Sequence, residues 1–189
     1  MDIAEFIKSR RTIRKFSEKP LSANQLTSYV DAARLAPSAA NLQPLKYIAV
    51  QSKQMADKMF PLLKWAGYLA PKYNPAENER PAAYIVVCAD RDISQKGYDM
   101  DVGAAVENII LTALADGVGA CWIGSIDREE IAKLLGIPQT FYVSCVVALG
   151  YPKENPRAVG IKQNIKYYLE GETLCVPKRD IDEVLLRML

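Results

Sequence analysis

Apolar and polar positions alternate between helical and strand-like spacing along the chain, and the changes of period mark its elements. In DIAEFIKS, residues 2–9, Ile3, Phe6 and Ile7 recur at helical spacing and predict a short amphipathic helix that runs into a basic segment. A second helix is predicted from Ser22, where Ser22 and Gln25 have capping-box spacing, Leu26, Tyr29, Val30 and Ala33 form the apolar face, and Pro37 ends it. A loop, PSAANLQP, then leads into the strand-like run KYIAVQS. Residues 53–65 carry Met55, Met59, Leu62 and Leu63 on one side and predict a helix that tolerates Pro61.

The stretch 66–81, AGYLAPKYNPAENERP, has no period and reads as a solvated connector or as a lid. AYIVVCAD is a buried strand by its β-branched content. Residues 99–116 predict a helix that is apolar on nearly all sides, and a chain this short has too little interior to cover all of it, which points to a second subunit. Gly117 ends that helix, the strand ACWIGS follows, Asp127 and Glu130 cap a helix running to Leu135, and YVSCVVALG is the last core strand. The tail from Tyr151 to Pro177 is polar and proline-spaced, and a short helix is expected from Asp180 to Leu189. There is no repeat or linker, so residues 1–189 read as one α+β domain.

Composition narrows the chemistry. The 189 residues are 50% hydrophobic and 24% charged, with a formal net charge of +2, which gives no overall field for nucleic acid or an anionic membrane. Histidine is absent, which removes Ser-His-Asp and Cys-His hydrolases, HExxH metalloproteases and Cys/His zinc sites. Cys88, Cys121, Cys145 and Cys175 form no CxxC pair, and the first three sit in apolar runs as small buried hydrophobes, so no metal site is expected and the setting reads as reducing and cytoplasmic. Asp2 and Glu5 interrupt any signal-like core, and no apolar run approaches the roughly 20 residues of a membrane span.

Three segments are candidates for binding. The glycines of GVGACWIG follow a helix and open a strand, the reverse of a dinucleotide fingerprint, so Gly117 and Gly119 read as turn and cap residues. SRRTIRKF gathers Arg10, Arg11, Arg14 and Lys15 around the Thr12 hydroxyl, a set that suits a phosphate monoester or is a solvated basic face. In APSAANLQP, small residues let a planar ligand approach the backbone while Ser38, Asn41 and Gln43 offer donors and acceptors, unless it is an ordinary loop.

Taken together, Ser9-Arg10-Arg11-Thr12-Ile13-Arg14-Lys15-Phe16 and Ala36-Pro37-Ser38-Ala39-Ala40-Asn41-Leu42-Gln43-Pro44 resemble the paired N-terminal motifs of the FMN-dependent nitroreductase family. DVGAAVENIILTA resembles its central dimer helix, and WIGSI and ALGYP resemble its later blocks.

The resemblance implies a mixed β-sheet flanked by helices in an intertwined homodimer with FMN at the subunit interface. Arg10, Arg11 and Thr12 would hold the ribityl phosphate, with Lys178 or Arg179 assisting. Arg14 would lie at the pyrimidine edge, Asn41 at the ribityl chain or ring, and Pro37, Ser38, Ala39 and Gln43 in the loop lining the ring from the partner subunit. Ile123, Gly124 and Ser125 would meet the ring, with an amide of Gly124 or Ser125 facing the nitrogen that receives hydride.

The implied reaction is ping-pong hydride transfer from NAD(P)H through FMN to a small acceptor such as a nitroaromatic or quinone. Other flavin chemistry on the same fold, dehydrogenation or reductive dehalogenation, and a redox module without efficient turnover are the alternatives. Leu45 stands where many members carry an aromatic, Glu107 where glutamine is frequent, and the helical excursion that covers the flavin in larger members is reduced, leaving 66–81 as a possible cover.

Overall fold

The computed structural model describes residues 2–189. A four-stranded sheet of order β1-β2-β4-β3, in which every pair is antiparallel, forms the centre: β1 is Leu45–Val50, β2 Ala83–Asp90, β3 Gly119–Ile123 and β4 Phe141–Gly150. Helices cover both faces, which is why AYIVVCAD is apolar at consecutive positions rather than alternate ones. On one face Ile85, Val87, Cys145, Val147 and Leu149 pack with α2 (Ala23–Arg34) and α4 (Asp99–Ala115). On the other, Tyr84, Val86, Cys88, Val146 and Ala148 meet Ala56 and Met59 of α3 (Lys53–Met59) and Ile131 of α5 (Arg128–Leu135).

The register of β2 on β4 shifts between Val87 and Cys88, so that Val87 pairs with Cys145 and Cys88 with Val143 while Ser144 is passed over. This is a β-bulge, and it moves Val143 onto the face that Val146 and Ala148 also use.

Several sequence expectations hold in detail. Ser22 and Gln25 form the capping box of α2, whose Leu26, Tyr29 and Ala33 are buried. In α4 the apolar residues Val102, Ala105, Val106, Ile109, Ile110 and Ala113 are buried, whereas Gly103, Ala104, Glu107, Leu111 and Leu114 are only half-buried.

Others are corrected. The helix expected over 53–65 stops at Met59, and Pro61 sits in a single 3-10 turn, since proline has no N–H to continue an α-helix. The polar tail 151–177 contains β5 (Arg157–Gly160), β6 (Tyr168–Glu170) and β7 (Thr173–Lys178), a small sheet of order β5-β7-β6 in which β5 and β7 run parallel. The closing helix is one turn, α6 (Ile181–Val184), rather than all of 180–189. Segment 66–81 is pinned, because Ala66 and Tyr73 pack with Leu174 of β7 in a third cluster. The N-terminal helix α1 (Ile3–Ser9) has no buried residue, with Ile3 and Ile7 exposed. Among the described residues no helix is long and apolar enough to cross a membrane.

Candidate functional site

The basic segment is held by its apolar residues. Ile13 and Phe16 are buried, and each lies on a glycine of the central sheet: a Cβ on Gly119 would stand 2.6 Å from Ile13 Cγ1, and one on Gly150 would stand 2.9 Å from Phe16 Cδ1. Gly119 is therefore a close-approach residue inside β3 and not a turn residue, whereas Gly117, at φ +71°, does end α4. The backbone is tied down as well. Ile13 N–H donates to Ala120 C=O at 2.9 Å, Ser17 N–H to Tyr151 C=O at 2.8 Å, and Lys153 N–H to Lys15 C=O at 2.9 Å. The Glu154 carboxylate accepts from the N–H groups of Arg14 and Lys15 and from the Tyr73 hydroxyl, whose ionisation is pushed up by burial and by that carboxylate.

With the segment fixed, Arg10 and Arg11 line a cleft of about 500 Å³ together with Gly117, Gly119 and Asn155. Arg10 Nε is 3.4 Å from Glu107 of α4. Arg11 Nη1 donates to the Lys8 carbonyl at 2.8 Å and to the Arg10 carbonyl at 2.5 Å, capping the end of α1. Thr12 bridges Ala120 in parallel register, and the Arg14 guanidinium lies 4.9 Å from the centre of the Tyr167 ring.

The loop 36–44 is built around Asp101, a buried acid in the first turn of α4. Ser38 Oγ donates to Asp101 Oδ2 at 2.5 Å and Ala39 N–H donates to Oδ1 at 3.0 Å, while Ser38 Oγ also accepts from Gln43 N–H at 2.9 Å. These bonds hold Ala40, Asn41 and Gln43 at φ 49°, 56° and 52°, the left-handed region that non-glycine residues rarely adopt without compensation. Gln43 Nε2 is turned inward onto Asn41, at 3.0 Å from Oδ1 and 3.1 Å from the backbone oxygen. Pro37, Ser38, Gln43, Tyr47 and Asp101 line a second cleft of about 210 Å³. Burial, with lesser contributions from Cys145 and Asp101, pushes the Tyr47 phenol up to about 12.

A third element is the turn after β3. Ile123 is buried, and Gly124 and Ser125 are exposed. Among the described residues neither the Gly124 nor the Ser125 N–H has a hydrogen-bond acceptor, although Ser125 C=O accepts from Lys64 N–H at 3.0 Å. Two adjacent free donors at the end of an edge strand can meet an acceptor atom on a planar ring.

The structure thus joins Arg10 and Arg11 in one cleft and Pro37, Ser38 and Gln43 in another, and keeps the two apart. Asp101 and Ala105 line the second cleft while Ile110 and Leu114 line the first, and from Asp101 to Leu114 the helix rises about 20 Å. Lys178 ends β7, Arg179 pairs with Glu183 at 3.0 Å, and neither lines the arginine cleft. Asp101, Glu154 and Arg128 are the residues that sequence reasoning missed. Only Asp101 left a signal, as one of two acids, with Asp99, in the first turn of a largely apolar α4.

Known proteins resemble this chain in sequence and in fold. A candidate NADH dehydrogenase/NAD(P)H nitroreductase of Archaeoglobus fulgidus is 40% identical over 157 residues, covering 79% of this chain and 85% of that protein. The NADPH-flavin oxidoreductase of Vibrio harveyi is 27% identical over 168 residues, covering 80% of this chain and 66% of its own. Among solved structures, an FMN-dependent nitroreductase of Clostridium difficile superposes with a TM-score of 0.68 at 27% identity, covering 80% of this chain and 88% of its own. The sequence profile of the nitroreductase family matches residues 7–151, a span that holds the arginine segment, the Asp101-anchored loop and the Gly124 turn together, and the chain belongs to that family.

Proposed function

We propose that the chain is an NAD(P)H-dependent flavin oxidoreductase that uses FMN and passes its electrons to a small acceptor such as a nitroaromatic or a quinone. The observation that carries this reading is the family match over residues 7–151. The names of the relatives support the class of reaction, since they include an NADPH-flavin oxidoreductase and an FMN-dependent nitroreductase.

The residues fit such a cofactor. Arg10 and Arg11 open onto a cleft large enough for a phosphate and part of a ribityl chain, and Thr12 lies between them and the sheet. The free amides of Gly124 and Ser125, next to buried Ile123, suit an acceptor nitrogen on a ring. Arg14, with its backbone held by Glu154, is suited to the electron-rich pyrimidine edge. Bound FMN supplies two-electron chemistry between nicotinamide and acceptor, and the protein supplies binding, orientation and charge.

The separation of the two clefts supports a homodimer. One chain presents the arginine cleft near the C-terminal end of α4 and the small-residue loop near its N-terminal end. A second copy with its α4 antiparallel to the first would bring Pro37, Ser38, Ala39, Asn41 and Gln43 of the partner toward the arginine cleft. The half-buried stripe Gly103, Ala104, Glu107 and Leu111 offers a close-packing face for such a contact. Exposed Ile181, Val184, Leu185, Leu186 and Met188 are apolar surface that a partner would cover.

Titration of the cofactor-free protein with FMN, followed by flavin fluorescence and sedimentation, tests this reading. The expected result is saturation at one FMN per chain in a dimer, weakened by Arg10→Ala. No binding, or binding in full to a monomer, contradicts it.

A further inference from the structure

Arg128 is the first residue of α5, where a cation faces the unfavourable end of the helix dipole. Its guanidinium does not extend into solvent. Nη2 donates to the Gly124 carbonyl at 3.1 Å and to the Ser144 carbonyl at 3.2 Å, and Nε donates to the Val143 carbonyl at 3.1 Å. Both β4 acceptors lie where the ladder is broken. β3 pairs with β4 only as far as Ile123 and Val146, and Ser144 is the residue passed over in the bulge against β2. The planar fork of Arg128 therefore takes the place of a strand, bridging the open edge of β4 to the turn that follows β3.

The contact on Gly124 is the one with consequences. A trans peptide is planar, so a bond to the Gly124 carbonyl fixes the plane shared with the Ser125 N–H and turns that N–H away from Arg128. The Ser125 carbonyl is pinned in turn by Lys64 N–H. Gly124 has no neighbour within 4 Å of where a Cβ would be, so packing alone does not fix its dihedral angles. Arg128 holds the Gly124 side of the turn, and the Lys64 backbone holds the Ser125 side.

We infer that Arg128 is a positioning residue for the redox centre, clamping the Gly124–Ser125 peptide so that the free Ser125 amide stands in a fixed direction toward the flavin ring. The inference rests on the flavin-binding function proposed for the chain. Arg128 itself touches neither cofactor nor substrate; it acts through the backbone of Gly124.

Two variants separate geometry from charge. Arg128→Lys keeps the charge but presents a single ammonium that cannot reach three carbonyls, and Arg128→Met keeps the stem alone. The first measurement needs no cofactor. In ¹⁵N relaxation of the cofactor-free protein, the Ser125 amide should have an order parameter near ~0.85 in the wild type and below ~0.6 in both variants. The second is the affinity and midpoint potential of bound FMN. Both variants should raise the FMN Kd by about tenfold, the worth of one lost hydrogen bond, and shift the midpoint potential, while thermal unfolding shows a folded protein. Unchanged amide order in both variants overturns the inference. So does a wild-type Kd and potential in Arg128→Lys. Failure of the wild type to bind FMN would instead sink the flavin reading, and the amide order parameters would still report on the clamp.

Discussion

Arg10 Nε lies 3.4 Å from the Glu107 carboxylate, so the guanidinium expected to meet a phosphate is already paired with an anion carried by α4. The pair is part-exposed, so the attraction is modest, but the carboxylate also repels an incoming dianion. Glu107→Gln removes that repulsion and frees Arg10. The expected outcome is an FMN Kd lower by about three- to tenfold at low salt, with the gain shrinking as salt is added. An unchanged Kd would place the phosphate away from Arg10.

The contact of Ile13 on Gly119 gives a second prediction. An alanine Cβ at 119 would overlap a β-branched side chain that has little rotamer freedom, so the basic segment must lift. Gly119→Ala should lose roughly 1–3 kcal/mol in chemical unfolding and should also weaken FMN binding, because Arg10 and Arg11 ride on the same segment. Ile13→Val in the Gly119→Ala background should recover neither loss, because valine keeps the Cβ, Cγ1 and Cγ2 positions that the new methyl group meets.

The cysteines are predicted to be inert in the folded protein. All four are free and buried, and burial pushes the thiols of Cys88 and Cys121 up to about 11 and that of Cys145 up to about 12. At about pH 8 this leaves these three with at least a hundredfold less thiolate than an ordinary thiol. A thiol-specific chromogenic reagent should react with them slowly in the native state and titrate four thiols after denaturation.

Buried phenols set the alkaline limit of stability. Tyr29, Tyr47, Tyr73 and Tyr84 are all raised above their ordinary 10.0, first by burial. The folded protein holds these protons more tightly than the unfolded chain, which releases them as pH passes 10.0. Their contribution is fully present below that pH and declines above it. Denaturant midpoints should fall above about pH 10, and replacing Tyr73 with Phe should flatten part of that fall.

Much of the fold could be read from the residues because the signals were local. The Ser22–Gln25 box, the unbroken apolar run of β2 and the buried face of α4 each depend on neighbours in sequence. The strands β5, β6 and β7 could not be read in this way. They are three to six residues long, largely exposed on β5 and β6, and β7 contains Pro177, so neither period nor composition marks them. The site divides along the same line. Arg10, Arg11, Ser38 and Gly124 lie in compact motifs, whereas what holds them is distant in sequence: Asp101 is 63 residues from Ser38 and Glu154 is 140 from Arg14. Arg128 is near Gly124 in sequence, but its other partners, Val143 and Ser144, exist as acceptors only because β4 bulges there.

The decisive measurement is anaerobic reduction of the FMN-loaded protein by NADH and by NADPH in turn, followed through the flavin absorbance band. An NAD(P)H-dependent flavin oxidoreductase should bleach with at least one of the two nicotinamides and recover its colour when a nitroaromatic or quinone is added. A protein whose bound FMN is reduced by dithionite but by neither nicotinamide would be a redox module without this activity, and would contradict the proposed function.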